Sequence, residues 1–326
     1  MSSWTASDIP DQSGRIALVT GATSGLGLST ATELARHGAR VLLGSRNPEK
    51  GATALRQVRA VATGAEPELV TLDLADLASV RAAATDVRER SGGRLDLLVN
   101  NAGLMAPPLR LTVDGFELQW ATNHLGHAAL TWLLYPALAT EPGSRVVTVS
   151  SLAHRQGHIT PTELAAATTG AGYRPWPAYG RSKLANLLFA FELHRRLRVD
   201  DPATLSVAAH PGFSSTGLVP AMMAGASRVA RAVADAGARV TGQSADRGAL
   251  PQLYAATAPG VRSGEFYGPS GPGQLRGAPK RVRANDVARD VRLAEAVWAL
   301  TAEQTGVDPM PSHTHPSGPS DVSAHG

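Results

Sequence analysis

The feature that most constrains this chain is an alternation. Short runs rich in Val and Leu, at 15–20, 39–43, 69–72, 95–99, 145–149 and 205–209, recur between longer helix-like stretches. None of the runs shows the strict polar and apolar alternation of a strand with one wet face. They read as strands of a parallel sheet covered on both sides. The stretches between them, 25–37, 49–63, 77–90, 112–139 and 178–199, read as helices. Parallel strands need long crossovers, and helices supply them. The expected fold is therefore α/β: a Rossmann-type doubly wound parallel sheet of about seven strands, in a single domain over residues 1–304. Residues 305–326 are rich in Pro, Ser and His with almost no large apolar side chain. They are expected to form a disordered tail. Two stretches leave the pattern: 152–177, between a strand and a helix, and 213–242, rich in Ala, Arg and Met.

Composition removes several function classes. The 326 residues include no cysteine, which excludes a disulfide scaffold, thiolate metal sites and a cysteine nucleophile. The formal charge of +4 comes without a basic stripe, so nucleic acid is not an expected partner. The polar start, with Asp8 and Asp11, is not a secretory leader, and no apolar run is long enough to span a bilayer. A cytoplasmic protein is expected. His124 and His127 are spaced three apart, and His154 and His158 follow, but no carboxylate accompanies them at ligand spacing, so no metal is expected.

The first strand runs into Thr20-Gly21-Ala22-Thr23-Ser24-Gly25-Leu26-Gly27, which opens the first helix. Glycines there permit a tight turn and close approach of backbone to a pyrophosphate. The helix start supplies N–H donors and a positive dipole. Gly21, Thr23, Ser24, Gly25, Leu26 and Gly27 are thus candidate dinucleotide ligands. An NAD site usually carries an acid at the end of the second strand, to hold the ribose 2′-hydroxyl. Here that point reads Leu43-Gly44-Ser45-Arg46, with no acid before Glu49. Arg46 suits a 2′-phosphate that an acid would repel, so NADP(H) is the expected cofactor.

These motifs, with Asp73-Leu74, Asn100-Asn101-Ala102-Gly103, Tyr179-xxx-Lys183 and Pro211-Gly212, stand in the order found in short-chain dehydrogenases/reductases. The chain resembles that family over roughly residues 10–300. The long insert before Tyr179 and the run Tyr-Gly-Arg-Ser-Lys-Leu-Ala-Asn look like its retinol-dehydrogenase and protochlorophyllide-reductase branch. The resemblance implies that Asp73 meets the adenine amine and Leu74 lies beside the ring. It puts Asn101, Ala102 and Gly103 along the adenosine ribose, and Pro211, Gly212 and Thr216 at the nicotinamide end. It assigns Asn123, in Asn-His-Leu-Gly, to a catalytic tetrad with Ser151, Tyr179 and Lys183.

The residues themselves say why that chemistry needs them. Reducing a carbonyl takes a hydride to carbon and a proton to oxygen. Tyrosine, with a pKa near 10, is a poor shuttle unless a cation favours its anion, and Lys183 follows one turn later on the same helix face. Only three lysines occur, Lys50, Lys183 and Lys280, in a chain that otherwise uses arginine. A serine is expected to hold the substrate oxygen. Ser150 and Ser151 point to opposite sides of the strand end, and the family pattern selects Ser151. Asn123 reads by itself as a core amide; the resemblance implies that it holds a water of the proton relay. The expected activity is carbonyl/alcohol interconversion on a lipophilic or medium-sized substrate, with 213–242 as a candidate lid. Two alternatives are a catalytically idle NADP-binding sensor or scaffold, and a carbon–carbon double-bond reductase. The second is weakened because the light-driven branch of the family relies on cysteine. The resemblance further implies a homodimer through helices 112–139 and 178–199.

Overall fold

A computed structural model describes residues 3–138, 140–160, 164, 170–200, 203–213 and 243–308. Each of the six apolar runs forms a strand: β1 (Ile16–Thr20), β2 (Arg40–Ser45), β3 (Glu68–Thr71), β4 (Leu97–Asn100), β5 (Arg145–Val149) and β6 (Leu205–Ala209). They join β7 (Phe266–Pro269) and β8 (Pro279–Arg281) in one sheet of order β3-β2-β1-β4-β5-β6-β7-β8. Every pair is parallel except β7 with β8. Successive side chains of a strand face opposite sides. Leu18 accordingly packs with Leu42, Leu98 and Val146 on one face, while Ala17 and Val19 pack with Val41, Leu43, Val99 and Val147 on the other. Both faces are dry, which is why none of these strands alternates in polarity.

The extra strands carry the sheet to eight where about seven were expected. Pro-Lys-Arg closes the edge, and Phe-Tyr-Gly-Pro, though buried inside it, fills its place with aromatic rings, Gly and Pro instead of Val and Leu.

The helices are α1 (Gly25–Arg36), α2 (Pro48–Arg59), α3 (Leu77–Arg90), α4 (Leu118–Trp120), α5 (Gly126–Leu138), α6 (Pro175–Asp200), α7 (Ala245–Thr257) and α8 (Val291–Thr305). A π-helical turn, Ala121–Leu125, joins α4 to α5. The helix expected from 112 begins only at Leu118. Residues 110–117 fold back as a narrow hairpin, in which the Thr112 amide donates to the Phe116 carbonyl (2.8 Å) and that of Leu118 to Arg110 (3.0 Å). The buried Glu117 carboxylate then caps the helix, accepting from the amides of Gln119 (2.8 Å) and Trp120 (3.0 Å). α6 starts earlier than expected, at Pro175, a residue suited to the first helical position.

α8 lies across α5 and α6. Its Trp298 meets Trp132 edge-on at 4.9 Å and stacks on Phe189 at 5.3 Å, with the Arg196 guanidinium 4.6 Å from the Trp298 ring centroid. These are the helices on which a homodimer was expected, so that face already carries part of its own chain. α8 ends at Gly306 in a left-handed cap, and Val307 is buried. Packed structure thus continues into the expected tail, of which 309–326 lie outside the described residues. Among the described residues, no helix is long and apolar enough to cross a membrane.

Candidate active site

The strand order reverses between β1 and β4, and the loops leaving them part to open a crevice at the carboxyl edge. After Thr20 the chain turns through Gly21 at φ +66°. A Cβ at Gly27 would sit 2.3 Å from the Gly21 carbonyl oxygen and 2.5 Å from Asn101 Nδ2, so only hydrogen fits where α1 meets its loop. Ser24 makes no side-chain cap bond, and the first amides of α1 face the crevice without it. The crevice encloses about 710 Å³. Gly21, Thr23, Ser24, Gly25, Leu26, Gly27, Arg46, Asp73, Leu74, Asn101, Ala102 and Gly103 all line it. A cradle of bare backbone beside a helix start fits a dinucleotide.

Sequence reading missed Asn47, Lys50, Leu104 and Thr122, which line the same cavity. Lys50 belongs to the first turn of α2, capped by Asn47, whose side-chain oxygen accepts from the Lys50 amide (2.8 Å). It is one of only three lysines and falls four residues after Arg46, a signal the sequence did offer. Arg46 and Lys50 are both exposed, and neither has an ion-pair partner among the described residues. Asn101 is committed to the protein: its Nδ2 donates to the Thr20 carbonyl (2.8 Å) and its Oδ1 accepts from Gln252 (3.1 Å).

The second half of the site stands on α6. Tyr179 and Lys183 lie one turn apart, with Lys183 Nζ 5.9 Å from the Tyr179 ring centroid. Lys183 is buried and donates to the Val149 carbonyl (3.2 Å). Burial brings its pKa down to about 8. Tyr179 departs from expectation. Burial raises the pKa of its phenol, and the opposing influence is a hydrogen bond with Ser151. In the protein alone, desolvation outweighs the lowering anticipated from Lys183.

The two serines separate cleanly. Ser150 is buried and donates to the Lys183 carbonyl (2.8 Å). Ser151, part-exposed, caps the short 3-10 turn Leu152–Gln156 by accepting from the Ala153 amide (3.2 Å). His154 closes that turn, with Nδ1 2.6 Å from the Ser151 carbonyl. The turn presses directly on α6: a Cβ at Gly157 would lie 2.4 Å from the Gly180 carbonyl oxygen.

Asn123 occupies the π turn, a deformation common at functional sites. Its Oδ1 accepts from the Leu104 amide (2.7 Å), and its Nδ2 donates to the Leu104 carbonyl (2.9 Å) and to Ser182 Oγ (2.9 Å). Ser182 in turn donates to the Tyr179 carbonyl (2.8 Å). A Cβ at Gly103 would lie 3.2 Å from Asn123 Oδ1 and 3.3 Å from Lys183 Nζ, so here the crevice reaches α6.

The histidines serve packing. His127 Nδ1 faces the Asn123 carbonyl (3.1 Å) and so carries the proton; Nε2 then accepts from Thr20 Oγ1 (2.8 Å). The same hydroxyl accepts from the Asn101 (2.9 Å) and Ala102 (3.0 Å) amides, tying the π turn to both crevice loops. His124 Nε2 meets Thr301 of α8 (2.8 Å).

Pro211 and Gly212 do not line the crevice. Gly212, at φ +71°, sits under the loop after β7, where a Cβ would lie 2.4 Å from the Leu275 carbonyl oxygen. The Pro211 carbonyl accepts from Gln243 (2.7 Å). Thr216 and the candidate lid beyond Phe213 lie outside the described residues.

A family model described as short chain dehydrogenase matches residues 15–224. The chain is 39% identical over 307 residues to a polyprenol dehydrogenase of Mus musculus, covering 91% of this chain and 86% of that one. It is 37% identical over 311 residues to retinol dehydrogenase 14 of Mus musculus, covering 90% and 86%. A crystal structure of an uncharacterized protein from Mycobacterium paratuberculosis superposes with a TM-score of 0.77 at 41% identity, over 94% of this chain and 99% of that one.

Proposed function

The chain belongs to the short-chain dehydrogenase family, and from that premise we propose that it is an NADP(H)-dependent enzyme with Asn123, Ser151, Tyr179 and Lys183 as its catalytic group. The family relation itself carries oxidoreduction between alcohols and carbonyls. The observation that supports the residue roles is the buried Lys183, one turn beyond Tyr179 with Nζ 5.9 Å from that ring and beside Gly103 of the crevice. The substrate we assign is lipophilic or medium-sized.

The cofactor supplies a hydride to the substrate carbon; the protein manages the oxygen. In reduction, the Ser151 hydroxyl holds the oxygen as charge develops on it. The Tyr179 hydroxyl delivers the proton. The buried Lys183 ammonium favours the tyrosinate left behind and is placed to hold the nicotinamide ribose. Asn123 spends its whole carboxamide on Leu104 and Ser182. Its structural work is to lock the crevice loop to α6, so a relay water would have to use its backbone carbonyl. At the other end, Arg46 and Lys50 offer two unpaired cations where an NAD site would place an acid, which supports the 2′-phosphate.

The test is a panel of ketones, aldehydes and alcohols assayed with both cofactors by nicotinamide absorbance. NADPH should be preferred, and Arg46→Asp should narrow or reverse the ratio. Tyr179→Phe should lose turnover by about a hundredfold or more while still binding NADPH. A preference for NADH would remove the Arg46 assignment, and near-normal turnover by Tyr179→Phe would remove the proton-transfer one. We place the enzyme in the cytoplasm, checked by cell fractionation.

A further inference from the structure

We infer that Trp176 is the wall that selects the substrate, receiving the flat apolar portion attached to the reacting carbon. The inference rests on the oxidoreductase reading above and assigns that site a substrate class: an alcohol or carbonyl bearing an aryl or similar planar hydrocarbon group.

Trp176 lies on the first turn of α6, three residues before Tyr179 and hence on the same helix face. Its ring meets that of Tyr179 edge-on, with centroids 6.3 Å apart and planes at 85°. Yet 44% of it stays open to solvent, although tryptophan is usually well buried. The backbone around it is firmly held. Tyr173 OH donates to the Pro107 carbonyl (2.6 Å). The buried Gln119 donates from Nε2 to Tyr173 OH (2.9 Å) and to the Pro175 carbonyl (3.0 Å), and its Oε1 accepts from the Ala106 amide (2.7 Å). One amide thus buckles the stretch before α6 to the loop after β4.

The resulting rim is apolar. Residues 104–109 read Leu-Met-Ala-Pro-Pro-Leu and residues 173–177 read Tyr-Arg-Pro-Trp-Pro, with Arg174 the one charged side chain in the two. Leu109, itself 46% exposed, packs against Gly170, where a Cβ would lie 2.8 Å from its Cδ1. An open indole, edge-on to the catalytic ring and carried on a backbone held by Gln119, offers its exposed face to a flat partner. A substrate with a charged or strongly hydrated group next to the reacting carbon would gain nothing from this rim.

The experiment compares cinnamaldehyde with butanal, using NADPH, in wild type, Trp176→Ala and Trp176→Phe. Removing the indole should lower the kcat/KM ratio of cinnamaldehyde to butanal roughly tenfold or more, the range an apolar pocket contact commands. The loss should appear in KM, and Trp176→Phe should recover most of it. Titration should show NADPH still bound by both variants. An unchanged ratio, or a loss in kcat shared equally by both aldehydes, would overturn the inference and leave Trp176 as a support for Tyr179. If wild type reduces neither aldehyde nor any other member of the wider panel with either cofactor, the oxidoreductase reading fails, and this inference fails with it.

Discussion

Ser150 and Ser151 are adjacent in sequence and do different work. Ser150 Oγ is buried on the Lys183 carbonyl, so Ser150→Ala should cost about 1 kcal/mol of stability and leave turnover nearly intact. Ser151 is the partner that pulls the Tyr179 pKa down against the rise caused by burial. Removing it should let that pKa climb. Alcohol oxidation needs the phenolate, so in Ser151→Ala its rate should fall and its rising limb should move to higher pH. Reduction needs the phenol and should persist further into alkali. Paired pH–rate profiles of both directions decide this. A severe defect in Ser150→Ala with a mild one in Ser151→Ala would show the serines to be misassigned. At this scale the sequence is informative wherever a motif is contiguous: the loop from Gly21 to Gly27 and the pair Tyr179/Lys183 can be read directly. Lys50 and Trp176 stand at helical spacing from Arg46 and Tyr179, but Leu104 and Thr122 join the site only through folding.

Between elements, the decisive contact is the docking of the Leu152–Gln156 turn on α6. Gly157 and the Gly180 carbonyl touch where no Cβ fits, and this sets how far Ser151 stands from Tyr179. Gly157→Ala should therefore cost about 1–3 kcal/mol, as overpacking does, and lower turnover more than NADPH affinity. Denaturant melts beside steady-state rates and a cofactor titration would check it; wild-type rates with wild-type stability would show the contact to be slack. The same scale explains what the sequence reveals of the fold. Five of the six legible strands lie inside the sheet and are apolar on both faces, and β3, at the edge, is legible from Leu69 and Val70. β7 and β8 are hidden by their Gly and Pro, and α7 by Pro251 within it. The hairpin before α4 is invisible to helical periodicity, because a buried Glu117, not an apolar stripe, marks the helix start.

The molecule as a whole carries an acid liability. Burial holds His124 at about 4, and His127 and His210 at about 3, against an ordinary 6.5. An unfolded histidine takes up a proton near 6.5 that the folded one refuses until far lower pH. Stability is therefore complete above 6.5 and is lost as pH falls through it. Each of the three adds to that loss, and a domain's margin of stability is small enough to feel it. The urea midpoint should stay level above pH 7 and drop steeply between 6.5 and 4. A flat profile down to pH 4.5 would mean that these rings are not held neutral. Assembly belongs to this scale too. With α8 seated on one side of α5 and α6, the expected homodimer would have to use the surface of those helices that α8 leaves clear, and light scattering decides between dimer and monomer.

A ribosome makes this chain from its amino end, so α5 and α6 emerge long before α8. Through that interval Trp132 and Phe189 wait for Trp298 with an oily face bared. The nascent protein bares that surface until α8 has been made. A chain stopped ahead of Val291 would keep that exposure permanently, and should be recovered as aggregate or chaperone-bound material even though every residue of the proposed catalytic group is present. Full-length protein made beside it should stay in solution. Equal solubility of the two would show that the last helix is ornament rather than closure.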